Sequence, residues 1–248
     1  RPARVECRPM TLAHLVVAAL LLAAVVLGLR SRRRPVTVAA PSDPTVREAL
    51  GGVYSRRTFL RLGGAIGGAA VLVYSGADEA VDEWNEEHGT NDVTEPVSHQ
   101  FKQFGEPYWA FVWVALALVD RFVGRSPVGR FGRRCMQATA FGLPILWSTQ
   151  RVLGGSRPTD DPESPRWAPF EDENAASGHT FIAAVPWIVW LRTSTTPWVK
   201  ALAGVLSPAT GWSRIHDRKH YLSQVVLGWA IAWQAVDGVV GPDDETAH

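Results

Sequence analysis

The chain has 248 residues, of which 46% are hydrophobic and 20% charged, with a net charge of +1. That apolar share excludes a disordered chain, and the charge balance excludes a global attraction to nucleic acid. Its two cysteines, Cys7 and Cys135, exclude a disulfide framework or a four-thiolate zinc site. The 11 tryptophans and the arginine clusters between apolar runs point to a membrane protein, because Trp favours the interface and Arg the cytoplasmic flank.

In chain order, Leu12–Leu29 is the strongest candidate span, with one His at its edge and no charge inside. The stretch Arg30–Arg61 is basic and reads as cytoplasmic. Within it, Ser55-Arg56-Arg57-Thr58-Phe59-Leu60-Arg61 resembles a twin-arginine export motif. Two readings follow. Either the native start lies near Val53, or residues 12–29 form a first transmembrane helix with basic flanks. The second is preferred, since no small-residue cleavage site follows the motif.

Leu62–Val73 is apolar, short and holds four glycines. The acidic stretch Asp78–Glu106 reads as an outer loop, Tyr108–Val119 as a span, and Arg121–Arg134 as a basic inner loop. Ala138–Trp147, continuing to Leu153, is the next span. Phe181–Leu191 tolerates Pro186 as membrane helices do, and Trp198–Trp212 and Tyr221–Val240 complete the set. Alternation then places Gly154–Gly178 and Ser213–His220 on the same outer face. The expected architecture is all-α: an integral membrane helical bundle of about six core spans with an additional N-terminal one. Its expected parts are residues 1–61 (span and basic linker), 62–240 (transmembrane helical domain) and 241–248 (tail). The alternative is a soluble bundle with buried helices. There is no internal repeat, nucleotide-binding glycine loop or metal-ligand spacing, so neither a cofactor nor a metal is expected. His14, His88, His99 and His248 read as incidental.

Three segments carry chemistry. Gln150-Arg151-Val152-Leu153-Gly154-Gly155-Ser156-Arg157-Pro158 closes one span, Ala176-Ser177-Gly178-His179 opens the next, and Ser213-Arg214 with His220 opens the last. Arginine supplies planar, permanently charged donors for a tetrahedral oxyanion. A Ser-Gly pair at a helix start points free N–H groups at the same anion. Two histidines provide a nucleophile and a proton donor. This is the equipment of phosphoryl transfer without a metal.

These segments resemble the type 2 phosphatidic acid phosphatase superfamily, which includes vanadium haloperoxidases. Its pattern is Lys, six residues, Arg-Pro; then Pro-Ser-Gly-His; then Ser-Arg, five residues, His, three residues, Asp. Arg157-Pro158, Ser177-Gly178-His179, Ser213-Arg214 and His220 match it. Gln150 stands at the Lys position, Ala176 at the Pro and Gln224 at the Asp. The resemblance covers roughly residues 100–240. It implies that His220 attacks phosphorus to form a phosphohistidine, and that His179 protonates the leaving oxygen and then activates water. It further implies that Arg157 and Arg214 neutralise the equatorial oxygens, with Ser177 and the Gly178 amide completing the cradle.

Gln224, four residues after His220, shares its helix face, so its carbonyl can orient the imidazole but cannot charge it. Asp217 is the other nearby carboxylate and reads as a solvated acid. Gln150 removes a cationic phosphate donor, and the adjacent Arg151 replaces it only if the helix has ended there. His216 reads as a loop residue. The expected function is hydrolysis of a lipid phosphate or diphosphate at the outer face of a bacterial cytoplasmic membrane, with the membrane and the lipid phosphate as partners and no nucleic acid. Arginine-rich, lysine-poor usage fits a GC-rich bacterial genome. A non-catalytic phosphate- or lipid-binding relative is the alternative, and a haloperoxidase holding vanadate in the same cradle is a third reading.

Overall fold

The computed structural model describes residues 44–123, 126–159 and 167–241, together with positions 15, 16, 19, 22, 23 and 26. The expected first span, Leu12–Leu29, lies outside the described residues except at those six positions. Among the described residues every regular element is helical and there is no strand, as the apolar patterning implies.

The helices are α1 (Val46–Val53), α2 (Arg56–Tyr74), α3 (Ala77–Trp84), α4 (Thr94–Gln103), α5 (Tyr108–Phe122) and α6 (Pro127–Leu153), then α7 (Gly178–Thr193), α8 (Pro197–Leu206), α9 (Ala209–His216) and α10 (Leu222–Val240). A π-helical turn, Asn85–Gly89, continues α3. The helix starts follow local chemistry. Ser55 Oγ accepts from the Thr58 amide to open α2, and Ser126 Oγ accepts from the Gly129 amide ahead of Pro127 in α6.

Helix α10 is the axis of the bundle. It packs against α7, α6, α2 and α1, and Leu227, Ile231, Ala235 and Val239 along it are fully or almost fully buried. The core is completed by Trp113 and Leu116 of α5, Leu146 of α6, and Phe181 and Ile188 of α7. Burying each such side chain is worth about 1.5–3 kcal/mol.

Three stretches differ from expectation. The acidic stretch Asp78–Glu106 is largely helical, because its carboxylates find cationic and amide partners across the fold. The basic stretch Arg121–Arg134 is not a loop throughout: Arg121 lies in the last turn of α5, and Pro127 to Arg134 form the start of α6, where Arg133 pairs with buried Asp120 at 3.5 Å. The run Trp198–Trp212 is two helices, broken at Ser207–Pro208, because proline provides no amide for the helix to continue.

No single helix among the described residues is long and apolar enough to cross a membrane. The pair Val46–Tyr74 and Ala77–Gly89 passes that test together but bends by 65° at its break.

Candidate functional site

The three chemical segments converge where α6 ends and α7 and α10 begin, and Gln224 joins them. Its carboxamide Nε2 donates to the Ser156 carbonyl at 2.7 Å, and its Oε1 accepts from His220 Nδ1 at 2.8 Å and from the Tyr221 amide at 3.3 Å. Its own backbone carbonyl accepts from the Ser177 amide at 2.8 Å. One fully buried residue thus links the first segment, the second and the nucleophile candidate. Close approach makes this possible: a Cβ at Gly228 would lie 2.4 Å from the Ser177 carbonyl oxygen. Gly154 ends α6 at φ +59°, where a Cβ would run into the Ala168 carbonyl, so only glycine turns the chain toward Arg157 there.

The Gln224 amide is polarised by its partners. Since its NH2 is committed to a carbonyl, the oxygen faces His220, and His220 must carry its proton on Nδ1. Nε2 is left with its lone pair exposed, which is the tautomer a nucleophile needs. Burial, opposed by the Gln224 hydrogen bond and reinforced by Arg214, His179 and Arg157, lowers the His220 pKa from 6.5 to about 3.

This has a consequence for stability. The unfolded chain takes up a proton at His220 near pH 6.5 and the folded chain only near pH 3, so stability is lost as pH falls through that window, at up to about 1.4 kcal/mol per pH unit. The expected result is a thermal midpoint in detergent that drops between pH 7 and pH 4 less steeply in His220→Asn than in the unaltered protein. Equal slopes would show that His220 does not govern it.

Arg214 is buried, and its Nη1 meets Asp217 Oδ2 at 3.2 Å while its Nε has no partner among the described residues. Arg157 is exposed and its Nε donates to neutral Asn174 at 3.1 Å. Arg157 and Arg214 each lower the proton affinity of His220, so both lie within electrostatic reach of it. Arg157 likewise acts on Arg214. Two guanidinium groups and two histidines thus share one locus whose charge calls for an anion. Ser177 Oγ accepts from the Thr180 amide as the N-cap of α7, and the Gly178 and His179 amides are the first of that helix, the end that attracts anions.

Other candidates are placed differently. Gln150 Nε2 donates to the Ala176 carbonyl at 2.7 Å, bracing the second segment. Arg151 is exposed and paired with Glu173. Asp217 serves Arg214 and also accepts from Ser98 Oγ at 2.8 Å. His216 is buried, with Nε2 3.0 Å from Thr94 Oγ1.

The formerly anonymous acidic stretch grips the loop that carries Arg214 and His220. Asp78 accepts from the amide and hydroxyl of Ser223 at 2.8 and 2.5 Å, capping α10. Asp82 takes Arg218 through two bonds at 3.1 and 2.7 Å, and Glu86 adds a third at 2.7 Å. Arg218 sits at φ +52°, a conformation disfavoured for a residue that carries a Cβ, and this clamp holds it there. Asn85 Nδ2 donates to the Ile215 carbonyl at 3.1 Å. None of these acids was recognisable from sequence as part of the site, since nothing local distinguishes a clamping carboxylate from a solvated one. Among the described residues, no three His, Cys, Asp or Glu side chains are grouped so that they could hold a metal ion.

Residues 139–239 match the family model of the PAP2 superfamily, in agreement with the resemblance carried by the three segments. No curated protein and no solved structure matches the chain. The PAP2 superfamily includes phosphatases, so the match is consistent with a phosphoester hydrolase.

Proposed function

We propose that this chain, whose residues 139–239 match the PAP2 superfamily, hydrolyses a lipid phosphate or diphosphate at the outer face of a membrane through a phosphohistidine intermediate. The observation that carries the proposal is the Gln224–His220 bond, which leaves His220 Nε2 as a neutral lone pair beside Arg157, Arg214 and His179.

The reaction has two halves. His220 Nε2 bonds to phosphorus as the P–O bond breaks, the electron pair remains on the leaving oxygen, and that oxygen takes a proton from His179. Water then gives a proton to His179 while its oxygen bonds to phosphorus, and the P–N electron pair returns to His220. Arg157, Arg214 and the α7 amides carry the charge of the phosphoryl oxygens throughout, which is the dominant contribution expected in such transfers.

A lipid substrate is supported by the surface. Phe111, Val114, Leu118 and Phe122 form an exposed apolar stripe on α5, and Trp198, Leu202 and Val205 form another on α8. The basic and acidic stretches of the sequence support an outward site.

The test is phosphate release by detergent-purified protein from phosphatidic acid, phosphatidylglycerol phosphate and a polyprenyl diphosphate, with EDTA present. Release from one or more supports the reading, and loss of release in EDTA would contradict the mechanism. A second reading, a phosphate-binding relative without turnover, is favoured by one observation: Gln150 spends an amide hydrogen on Ala176 and contributes no charge. Saturable vanadate binding without phosphate release from any substrate would select it.

A further inference from the structure

Glu106 lies outside the segment matched by the family, in the turn between α4 and α5, and its Oε1 is 3.7 Å from His179 Nε2. The turn is rigid. The carbonyl of Gln103 accepts from Trp109 Nε1 at 2.9 Å and from the Tyr108 hydroxyl at 3.2 Å, and the Gly105 amide donates to the Lys102 carbonyl at 2.9 Å. It is also pressed directly onto His179: a Cβ at Gly105 would lie 2.7 Å from both the Cβ and the carbonyl oxygen of His179. Any larger residue at 105 would push the carboxylate of 106 away.

We propose that Glu106 is the positioning residue of the acid–base histidine: it orients the His179 ring and keeps a proton on Nε2 for the leaving oxygen. The inference rests on the proposed function and assigns that reaction a carboxylate. The amide of Gln224 adds no charge beside His220, so the nucleophile stays neutral. The carboxylate stands beside His179 instead, so the one charge that favours a bound proton is given to the histidine that must donate it.

The charged groups facing His179 agree with this assignment. Burial, together with Arg214 from α9 and Lys102 from α4, lowers its pKa, and Glu106 is the group that opposes them. Loss of Glu106 would lower it further, at the residue that must deliver the proton. At 3.7 Å the carboxylate is near enough to stabilise imidazolium and too far to hold the proton in a short hydrogen bond. Glu106 remains a carboxylate through both halves of the reaction.

The experiment compares the unaltered protein with Glu106→Gln and Glu106→Asp on two substrates. One is an alkyl phosphate, whose leaving oxygen needs a proton; the other is p-nitrophenyl phosphate, whose leaving group does not. In Glu106→Gln the alkaline limb of kcat/KM for the alkyl phosphate should move toward acid by about one pH unit. Its kcat/KM at neutral pH should fall by roughly 10- to 100-fold. The kcat/KM for p-nitrophenyl phosphate, which reports only the first half-reaction, should change by less than about threefold, and Glu106→Asp should restore part of the loss. An equal fall on both substrates, or an unmoved limb, would overturn the inference.

A second measurement stands apart from turnover. The imidazole of His179, assigned by NMR with His179→Gln as reference, should titrate at lower pH in Glu106→Gln than in the unaltered protein. An unmoved titration overturns the inference even in a protein that releases no phosphate. Absence of release from every substrate by the unaltered protein, with the titration shifted, would count against the proposed function and leave the Glu106–His179 pair standing.

Discussion

Replacing His220 by alanine is expected to abolish phosphate release, with a loss on the order of 10^4-fold or more, because under the proposed two-step transfer the nucleophile has no substitute. The side chain is buried and held at Nδ1 by Gln224, within electrostatic reach of both guanidinium groups, so its removal takes away the free Nε2 lone pair. The measurement is rapid quenching of the purified protein with a radiolabelled substrate. The unaltered protein should carry label that survives base and is lost in acid, the behaviour of a phosphorus–nitrogen bond, and His220→Ala should carry none. Vanadate should still bind the variant, since Arg157, Arg214 and the start of α7 remain. A labelled His220→Ala protein would place the nucleophile elsewhere.

The second large effect is expected at Gln224. In Gln224→Leu nothing selects the Nδ1–H tautomer of His220, and the Ser156 carbonyl and Tyr221 amide lose a buried partner. Turnover should fall by about 10^2 to 10^4, the scale seen when a catalytic histidine loses the group that orients it. Stability should fall by about 1–3 kcal/mol, because a buried polar network loses a member. The acidic variants separate charge from geometry. Gln224→Glu sets a carboxylate oxygen against the Ser156 carbonyl, where the amide now donates at 2.7 Å, and should lose both stability and activity. Gln224→Asp is shorter by one methylene, withdraws from that carbonyl and adds a charge beside His220. It should therefore exceed Gln224→Glu in activity. A Gln224→Glu protein as active as the unaltered one would mean that the Ser156 bond does not set the amide's orientation.

The sequence by itself determined the helical class, the order of the three chemical segments and the residue types in them. Apolar runs of 10 to 20 residues cannot satisfy their backbone in a core except as helices or sheets. The helix start at Ser177 is local chemistry legible in a few residues. The positions of Arg157, His179, Arg214 and His220 could be named because their spacing relative to glycine and proline is itself the signal.

Tertiary structure alone decided what the acidic residues do and where Gln150 is spent. The i+4 spacing already set Gln224 beside His220, but only the fold shows Gln150 bracing Ala176 and the Gln224 amide donating to Ser156. Asp78, Asp82, Glu86 and Glu106 sit in one acidic stretch, yet the first caps α10, the next two clamp Arg218, and the last faces His179. The physical reason is that a hydrogen bond or an ion pair depends on a partner's position, and the partners of these four acids lie 73 to 145 residues away. Glu106 and His179 meet because α4 and α5 are joined by a turn that only Gly105 allows to lie flat on α7. The sequence states which groups are available, and the fold chooses which of them face one another.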